Sequence, residues 1–171
     1  MNTIKIKGII KFDLPDVTNK HITQSEWKRI AMVLIDDDTC KYYSWFLQKR
    51  YSIKLNTPLR GPHISFINDH IYRDIKCNIS DEDKLSLWDQ IKQKYDGKEI
   101  DVVLDLTPHT DDKHWWLNIP HEHRHYLQSI RDELYMDKPF AGMHLTLGYC
   151  NEVNIKQSQH IHNLIKQGII K

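Results

Sequence analysis

The chain has 171 residues, 40% of them hydrophobic, and its 24 basic side chains almost balance its 23 acidic ones. This length and composition predict one domain with a sizeable core. Because the formal net charge is +1 and the charges are interleaved, strong non-specific binding to long nucleic acid is not expected, although a local basic cluster can still serve a small anionic ligand.

The cysteines and the apolar runs indicate the compartment. Cys40, Cys77 and Cys150 are an odd number without CxxC spacing, which is typical of reduced thiols in the cytosol rather than of a disulfide framework. The N-terminal stretch MNTIKIKGII lacks the long apolar core of a signal peptide, and no apolar run is long enough to span a membrane. We therefore expect a cytoplasmic protein with no membrane partner.

The first part of the chain alternates strands with loops and one long helix. An Asp-rich start favours the helix, with Asp38 or Thr39 as its N-cap. Its aromatic residues, which include Tyr42 and Trp45, are expected to lie mostly in the core. The predicted elements in order are a strand over 3–12, a polar loop over 13–26, a central strand over 27–36, a helix over 36–53, a loop with Pro and Gly, and a strand over 62–67.

The second part begins with a helix that starts at Ser80 and stops at Gly97, with Leu85, Trp88 and Ile91 at helical spacing. Strands over 99–106 and 114–119 are then expected to pair through the connection TPHTDDK. The remaining predicted elements are a helix opened by Pro120 with the apolar stripe Tyr126, Leu127, Ile130 and Leu134, a loop, a strand over 143–149, and a helix over about 154–168.

A weak internal duplication is visible in this order. Residues 27–67 and 114–149 each contain a strand, a helix, a loop with proline and a strand that opens with histidine. Glycine stands one or two residues before each motif strand. The two halves are therefore expected to resemble each other in structure.

The two closing strands carry the same short motif. In GPHISFI, His63 and Ser65 share one face of a strand, while Ile64 and Phe66 share the other. In GMHLTLG, His144 and Thr146 share a face in the same way. At average composition such a pattern arises by chance at roughly one position in a thousand. Two copies in equivalent halves therefore indicate that the four residues act together in one function.

Two histidines and two hydroxyls in one cleft suit attack on a phosphodiester. One neutral histidine accepts the proton of the attacking hydroxyl, and a protonated histidine donates to the leaving oxygen. The hydroxyls donate hydrogen bonds to the non-bridging oxygens, where negative charge develops. Both proton transfers operate near neutral pH, so no metal is required.

This pair of motifs resembles the signature of the 2H phosphoesterases, whose two H-x-[ST]-x tetrapeptides lie on paired central strands. The resemblance covers residues 27–168 and implies an α+β fold over a single domain, 1–171, with two pseudo-symmetric antiparallel-sheet lobes, outer helices and a central cleft. The matching catalytic positions are His63, Ser65, His144 and Thr146, with serine in place of the commoner threonine in the first copy. The family implies no cofactor and no metal.

Within this superfamily, the flanks LRGPHISFI and GMHLTLGY look most like the phage anti-CBASS branch. That resemblance implies hydrolysis of the 3′–5′ bonds of cyclic di- and trinucleotides, as a viral counter-defence in the host cytoplasm. An RNA-end enzyme acting on 2′,3′-cyclic phosphates or 2′–5′ links is an alternative within the superfamily. A protein that sequesters nucleotides without cleaving them is an alternative of another class, which two complete tetrapeptides disfavour.

Three further features bear on the site. Trp116 is expected to face the cleft and to stack on a base, and Arg60, three residues before His63, is expected to hold a second phosphate. The stretch HEHRH at 121–125 matches the zinc-protease pattern HExxH. Because Pro120 places this stretch in the first turn of a helix and its middle residues are His and Arg, a solvated helix start is the favoured interpretation.

Overall fold

The computed structural model describes residues 2–14, 28–58, 60–139 and 142–170. Most of the predicted polar loop over 13–26 therefore lies outside the described residues, as does Trp27 at the start of the predicted central strand. Within the described part, the chain forms an α+β structure of strands and helices in mixed order.

The predicted strands are present, and the strand predicted over 62–67 continues to His70. The short β5, inside the connection TPHTDDK, was not predicted. The strands are β1 (Thr3–Phe12), β2 (Lys28–Ile35), β3 (His63–His70), β4 (Glu99–Asp105), β5 (His109–Thr110), β6 (His114–Asn118) and β7 (His144–Tyr149).

The three long helices begin at capping side chains, whereas the two shorter ones have no side-chain cap. The helices are α1 (Asp37–Tyr51), α2 (Ile71–Asp74), α3 (Asp81–Tyr95), α4 (His125–Glu133) and α5 (Glu152–Lys166), with a 3-10 turn at His121–His123. The helix predicted to open at Pro120 begins only at His125, after the 3-10 turn. Ser80 caps α3 as predicted, because its hydroxyl accepts a hydrogen bond from the Asp83 amide at 3.1 Å. The predicted cap of α1 is wrong: Asp36 has extended backbone and accepts from the Asp38 amide at 2.9 Å, so the helix starts at Asp37.

The described strands form one seven-stranded antiparallel sheet in the order β4-β1-β2-β3-β7-β6-β5. The sheet is curled, so that Cα atoms of β4 and β6 come within 8 Å although several strands lie between them in the hydrogen-bonded order. The two motif strands, β3 and β7, are neighbours near its centre.

The predicted pairing of β4 with β6 is wrong. β4 pairs with β1 instead, over residues Thr3 to Ile9 of the longer strand. The connection TPHTDDK does not act as a hairpin between β4 and β6, because it contains β5, which turns back on β6. Asp111 holds that turn by accepting hydrogen bonds from the Lys113 and His114 amides.

Apolar side chains occupy one face of the sheet and the helices pack on it. Phe12 of β1 contacts Trp88 of α3 with ring centroids 5.1 Å apart, and Trp115 of β6 donates its indole N–H to Ser158 of α5 at 2.9 Å. Trp88 and Trp115 are fully buried. The opposite face of the central strands is thereby left open for a site.

Two expectations about the core are corrected. On α1, Tyr43 is buried, but Tyr42 and Trp45 are 56% and 55% exposed, because only one side of that helix faces the sheet. On α4, the predicted stripe holds for Leu127, Ile130 and Leu134, but Tyr126 is exposed and its ring lies edge-on to Tyr95 of α3. Among the described helices, none is long and apolar enough to cross a bilayer.

Candidate active site

The pairing of β3 with β7 brings the two motifs together. Ile64 pairs with Leu145 in an antiparallel register, which places His63 across from Thr146 and Ser65 across from His144. Directly opposed residues on one face have Cβ atoms about 4.5–5.5 Å apart, and diagonal ones about 7–8 Å. Each histidine therefore faces the hydroxyl of the other motif, and the two imidazoles lie diagonally across the strand pair.

The alternation predicted for these strands is present on both. Ile64, Phe66, Leu145 and Leu147 are fully buried on the apolar face, whereas the histidines and hydroxyls are partly exposed on the other face. A cavity of about 300 Å³ opens there. Its lining residues are His63, Ser65, Phe66, Ile67, Asn68, Asp69, Pro139, Gly142, His144 and Thr146.

The turns that lead into the two motif strands are equivalent. The Gly61 amide donates to the Pro58 carbonyl at 2.9 Å, and the Gly142 amide donates to the Pro139 carbonyl at 3.3 Å. Both glycines have φ of +69°, a left-handed conformation that glycine adopts readily. The sequence repeat is therefore longer than a tetrapeptide. Both copies fit the pattern P-x-x-G-x-H-x-[ST], which starts at Pro58 in the first copy and at Pro139 in the second.

The turn before β3 fixes the tautomer of His63. Nδ1 of this imidazole lies 2.8 Å from the Gly61 carbonyl oxygen. Because a carbonyl only accepts, Nδ1 carries the proton, and Nε2 of the neutral ring is left with its lone pair. Burial lowers the pKa of His63, and the nearby charge of Arg60 lowers it further, while the Gly61 hydrogen bond opposes both effects. The neutral form of His63 is thereby favoured.

Trp116 stands beside the motif residues on the same face of the sheet. It pairs with Thr146 in the register of β6 and β7, and its ring centroid lies 5.6 Å from that of His144. Its indole N–H donates to the Asn118 side-chain carbonyl at 3.1 Å. Trp116 flanks the cavity rather than lining it, and it remains partly exposed.

Two residues near Trp116 were not among the predicted site residues. His109 of β5 pairs with Trp116 and stacks on it, with centroids 6.3 Å apart and ring planes 21° apart. Asn118 pairs with His144 in the neighbouring register. Asn118 could be identified from the sequence because it lies two residues after Trp116 and so shares its strand face. His109 could not, because its position beside Trp116 depends on the unpredicted strand β5.

Arg60 lies in the turn before β3, close enough to His63 for its charge to lower the pKa of that imidazole. It is not among the residues that line the cavity. A cation at this position is suited to an anionic ligand that extends beyond the cavity.

A buried arginine, also missed by the sequence analysis, supports one wall of the cavity. Arg131 of α4 is 2% exposed and its Nη1 donates to the Phe66 carbonyl at 2.8 Å and to the Asp69 carboxylate at 2.7 Å. Its Nε and Nη2 donate to the Asp137 carbonyl. The guanidinium thus ties the end of β3 to the segment that leads toward β7.

Replacing Arg131 with methionine is expected to lower the free energy of unfolding by about 3–5 kcal/mol, since it leaves a carboxylate and two carbonyls without their buried donor. Urea denaturation measures this loss. Arg73→Met is the matched control, because Arg73 forms an exposed pair with Asp74, and its denaturation midpoint should stay unchanged. Equal midpoints for both variants would contradict the supporting role of Arg131.

The HEHRH stretch does not form a continuous helix. His121–His123 form a 3-10 turn, and α4 begins only at His125, so His121 and His125 do not share the helix face that a zinc protease of this pattern needs. Within the described ranges, no three His, Cys, Asp or Glu side chains are grouped as they are in a metal site.

Comparison of the chain with profiles of protein families, with curated proteins and with solved structures gave no match. The function of the cavity is therefore inferred from its own side chains. It offers one neutral imidazole with a defined tautomer, a second imidazole, two hydroxyls and an adjacent aromatic ring.

Proposed function

We propose that this chain is a metal-independent phosphodiesterase of the two-histidine type that hydrolyses 3′–5′ bonds of cyclic di- or trinucleotides. The observation that carries the proposal is the meeting of His63, Ser65, His144 and Thr146 in one cavity, with each histidine opposed to the other motif's hydroxyl. A volume of about 300 Å³ lies at the small end of ligand sites, which suits one phosphodiester with part of a nucleotide.

We also propose that the fold is the bilobal arrangement of the 2H phosphoesterases. Two units support this: β2, α1 and β3 in the first, and β6, α4 and β7 in the second. In each unit the two strands are antiparallel neighbours. The units meet where β3 pairs with β7, and each of these two strands follows an equivalent glycine turn. The cavity then lies on the pseudo-two-fold axis that relates the lobes.

The proton transfers follow from the tautomer of His63. Its Nε2 accepts the proton of the ribose 2′-hydroxyl, which attacks phosphorus, so that the P–O2′ bond forms as the P–O5′ bond breaks. Protonated His144 gives its proton to the leaving 5′ oxygen. The product end is a 2′,3′-cyclic phosphate, which water then opens, with the two histidines exchanging roles.

The other side chains bind the substrate. Ser65 and Thr146 donate to the non-bridging oxygens as charge builds on them. Trp116 provides a stacking platform for a base, and Arg60 adds positive charge at the edge of the cavity, which favours an anionic substrate. In a phage, such an enzyme would act in the host cytoplasm and destroy a cyclic nucleotide that signals infection.

The deciding experiment is incubation with a panel of cyclic di- and trinucleotides in excess EDTA, followed by chromatography of the products. Linear products are expected, at rates unchanged by the chelator. The panel includes a nucleoside 2′,3′-cyclic phosphate and a 2′–5′ dinucleotide, and exclusive cleavage of these would favour an RNA-end enzyme instead. Tight binding without products would favour sequestration, and loss of activity restored by zinc would overturn the metal-independent mechanism.

Removing either hydroxyl is expected to slow turnover less than removing a histidine. Thr146→Val keeps the shape of the side chain and deletes one donor, which typically lowers kcat by about 10²–10³-fold. Ser65→Ala should behave alike. The conservative variants Thr146→Ser and Ser65→Thr keep the donor and should retain most of the activity. If Thr146→Val turned over as fast as Thr146→Ser, the hydroxyl would have no role in the transition state.

A further inference from the structure

A second, basic cavity adjoins the candidate active site. It has a volume of about 260 Å³, and its lining residues are His121, Arg124, His125, Gln128, Lys138, Pro139, Gly142 and Met143. Pro139 and Gly142 line the first cavity as well. The two cavities therefore share a wall at Pro139 and Gly142.

The charge of this cavity is of one sign. Arg124, Lys138 and two imidazoles line it, and none of its described lining residues is a carboxylate. Glu122 and Asp137 are neighbours in sequence, but neither belongs to the lining. Asp132 accepts a hydrogen bond from the Gln128 side-chain amide at 2.8 Å but does not belong to the lining either. Such a concentration of positive charge attracts an anion.

Arg124 is fixed at the boundary between the cavities. Its Nε donates to the Ile119 carbonyl at 2.7 Å, which holds the guanidinium in place. A Cβ placed on Gly142 would lie 3.9 Å from its Nη1, so the guanidinium approaches the turn two residues before His144. Because guanidinium groups match phosphate oxygens in a fixed, forked geometry, phosphate is the anion that suits this position.

We propose that this basic cavity binds the phosphate of the cyclic nucleotide that is not being cut. The inference rests on the proposed function, since a cyclic di- or trinucleotide always carries one or more further phosphates when one of them lies between His63 and His144. The shared wall at Pro139 and Gly142 keeps the second phosphate close to the first. The cavity thereby selects substrates with several phosphates over substrates with one.

The test compares two substrates of the same bases: the best-cleaved cyclic dinucleotide, with two phosphates, and the linear dinucleoside monophosphate, with one. Lys138→Met should raise KM about tenfold for the cyclic substrate, as expected for a lost charged hydrogen bond, with kcat nearly unchanged. KM for the linear substrate should change less than twofold. Lys138 is exposed, so its replacement should leave the fold intact. The matched control is Lys156→Met, at an exposed position on α5.

A binding measurement separates this proposal from the proposed function. Calorimetry with cyclic di-AMP and cyclic di-GMP on His63→Ala protein, with and without Lys138→Met, requires no turnover. Binding weakened about tenfold by Lys138→Met supports the phosphate site even if the wild-type protein cleaves nothing. The phosphate site would be overturned if Lys138→Met affected the cyclic and the linear substrate equally, or affected neither. It would also be overturned if neither cyclic dinucleotide bound, whether or not the protein proves to be a phosphodiesterase.

Discussion

Replacing His63 or His144 with alanine is expected to lower kcat/KM by about 10²–10⁴-fold or more, the typical contribution of a positioned acid or base. In the proposed mechanism His63 and His144 divide the two proton transfers, and the diagonal placement of the two side chains across the strand pair prevents one from replacing the other. Steady-state rates on the best cyclic dinucleotide measure the loss. Because the two groups act as a unit, the double variant should be little worse than either single one.

His160→Ala is the matched control for the histidine variants, since His160 lies exposed on α5. It should retain wild-type rates, and circular dichroism should show that all three variants are folded. A folded His63→Ala or His144→Ala protein with near-normal turnover would show that paired proton transfer is not the mechanism.

The pH profile gives an independent check on His63. Burial and Arg60 lower its pKa, so the neutral, basic form persists below the ordinary histidine pKa of about 6.5. The acidic limb of kcat/KM is therefore expected at a pH lower than 6.5. Removing the Arg60 charge, as in Arg60→Met, should move that limb upward, because the nearby cation no longer disfavours protonation. If the acidic limb did not move in Arg60→Met, the charge of Arg60 would have no influence on the pKa of His63.

The second large effect is expected when the substrate, rather than the protein, is changed. Replacing the ribose at the cleaved bond with 2′-deoxyribose should leave binding within a few-fold and reduce cleavage below detection. Neither motif offers a cysteine, and the proposed mechanism uses the hydroxyls of Ser65 and Thr146, which face the opposing histidines, to hold phosphate oxygens. A tethered nucleophile contributes an effective molarity of about 10⁵–10⁸ M, which the deoxy analogue loses entirely.

A cyclic dinucleotide with one ribose and one deoxyribose is the sharpest form of this test. The bond beside the ribose should be cut and the bond beside the deoxyribose should remain, so each molecule contains its own control. Mass spectrometry should detect a 2′,3′-cyclic phosphate before hydrolysis is complete. Comparable cleavage beside the deoxyribose would mean that water or a side chain of the protein attacks, and the role assigned to the histidines would have to be abandoned.

Local patterns in the sequence determined the elements and the faces of the motif strands. Strict alternation placed His63 with Ser65 and His144 with Thr146 opposite buried apolar residues, as β3 and β7 show. Ser80, followed by acids and an apolar stripe, marked the start of α3. These features depend on neighbours within a few positions along the chain, and such neighbours are visible in one sequence.

Only the tertiary structure decided which strands pair and which side chains meet. The pairing of β4 with β1 and the contact of Arg131 with Asp69 join residues far apart in the chain. The stacking of His109 on Trp116 depends on the short strand β5, which was not predicted. The tautomer of His63 depends on the left-handed turn at Gly61, which aims a carbonyl at Nδ1. Strand register and loop geometry are set by the packing of the whole sheet, so no local pattern determines them.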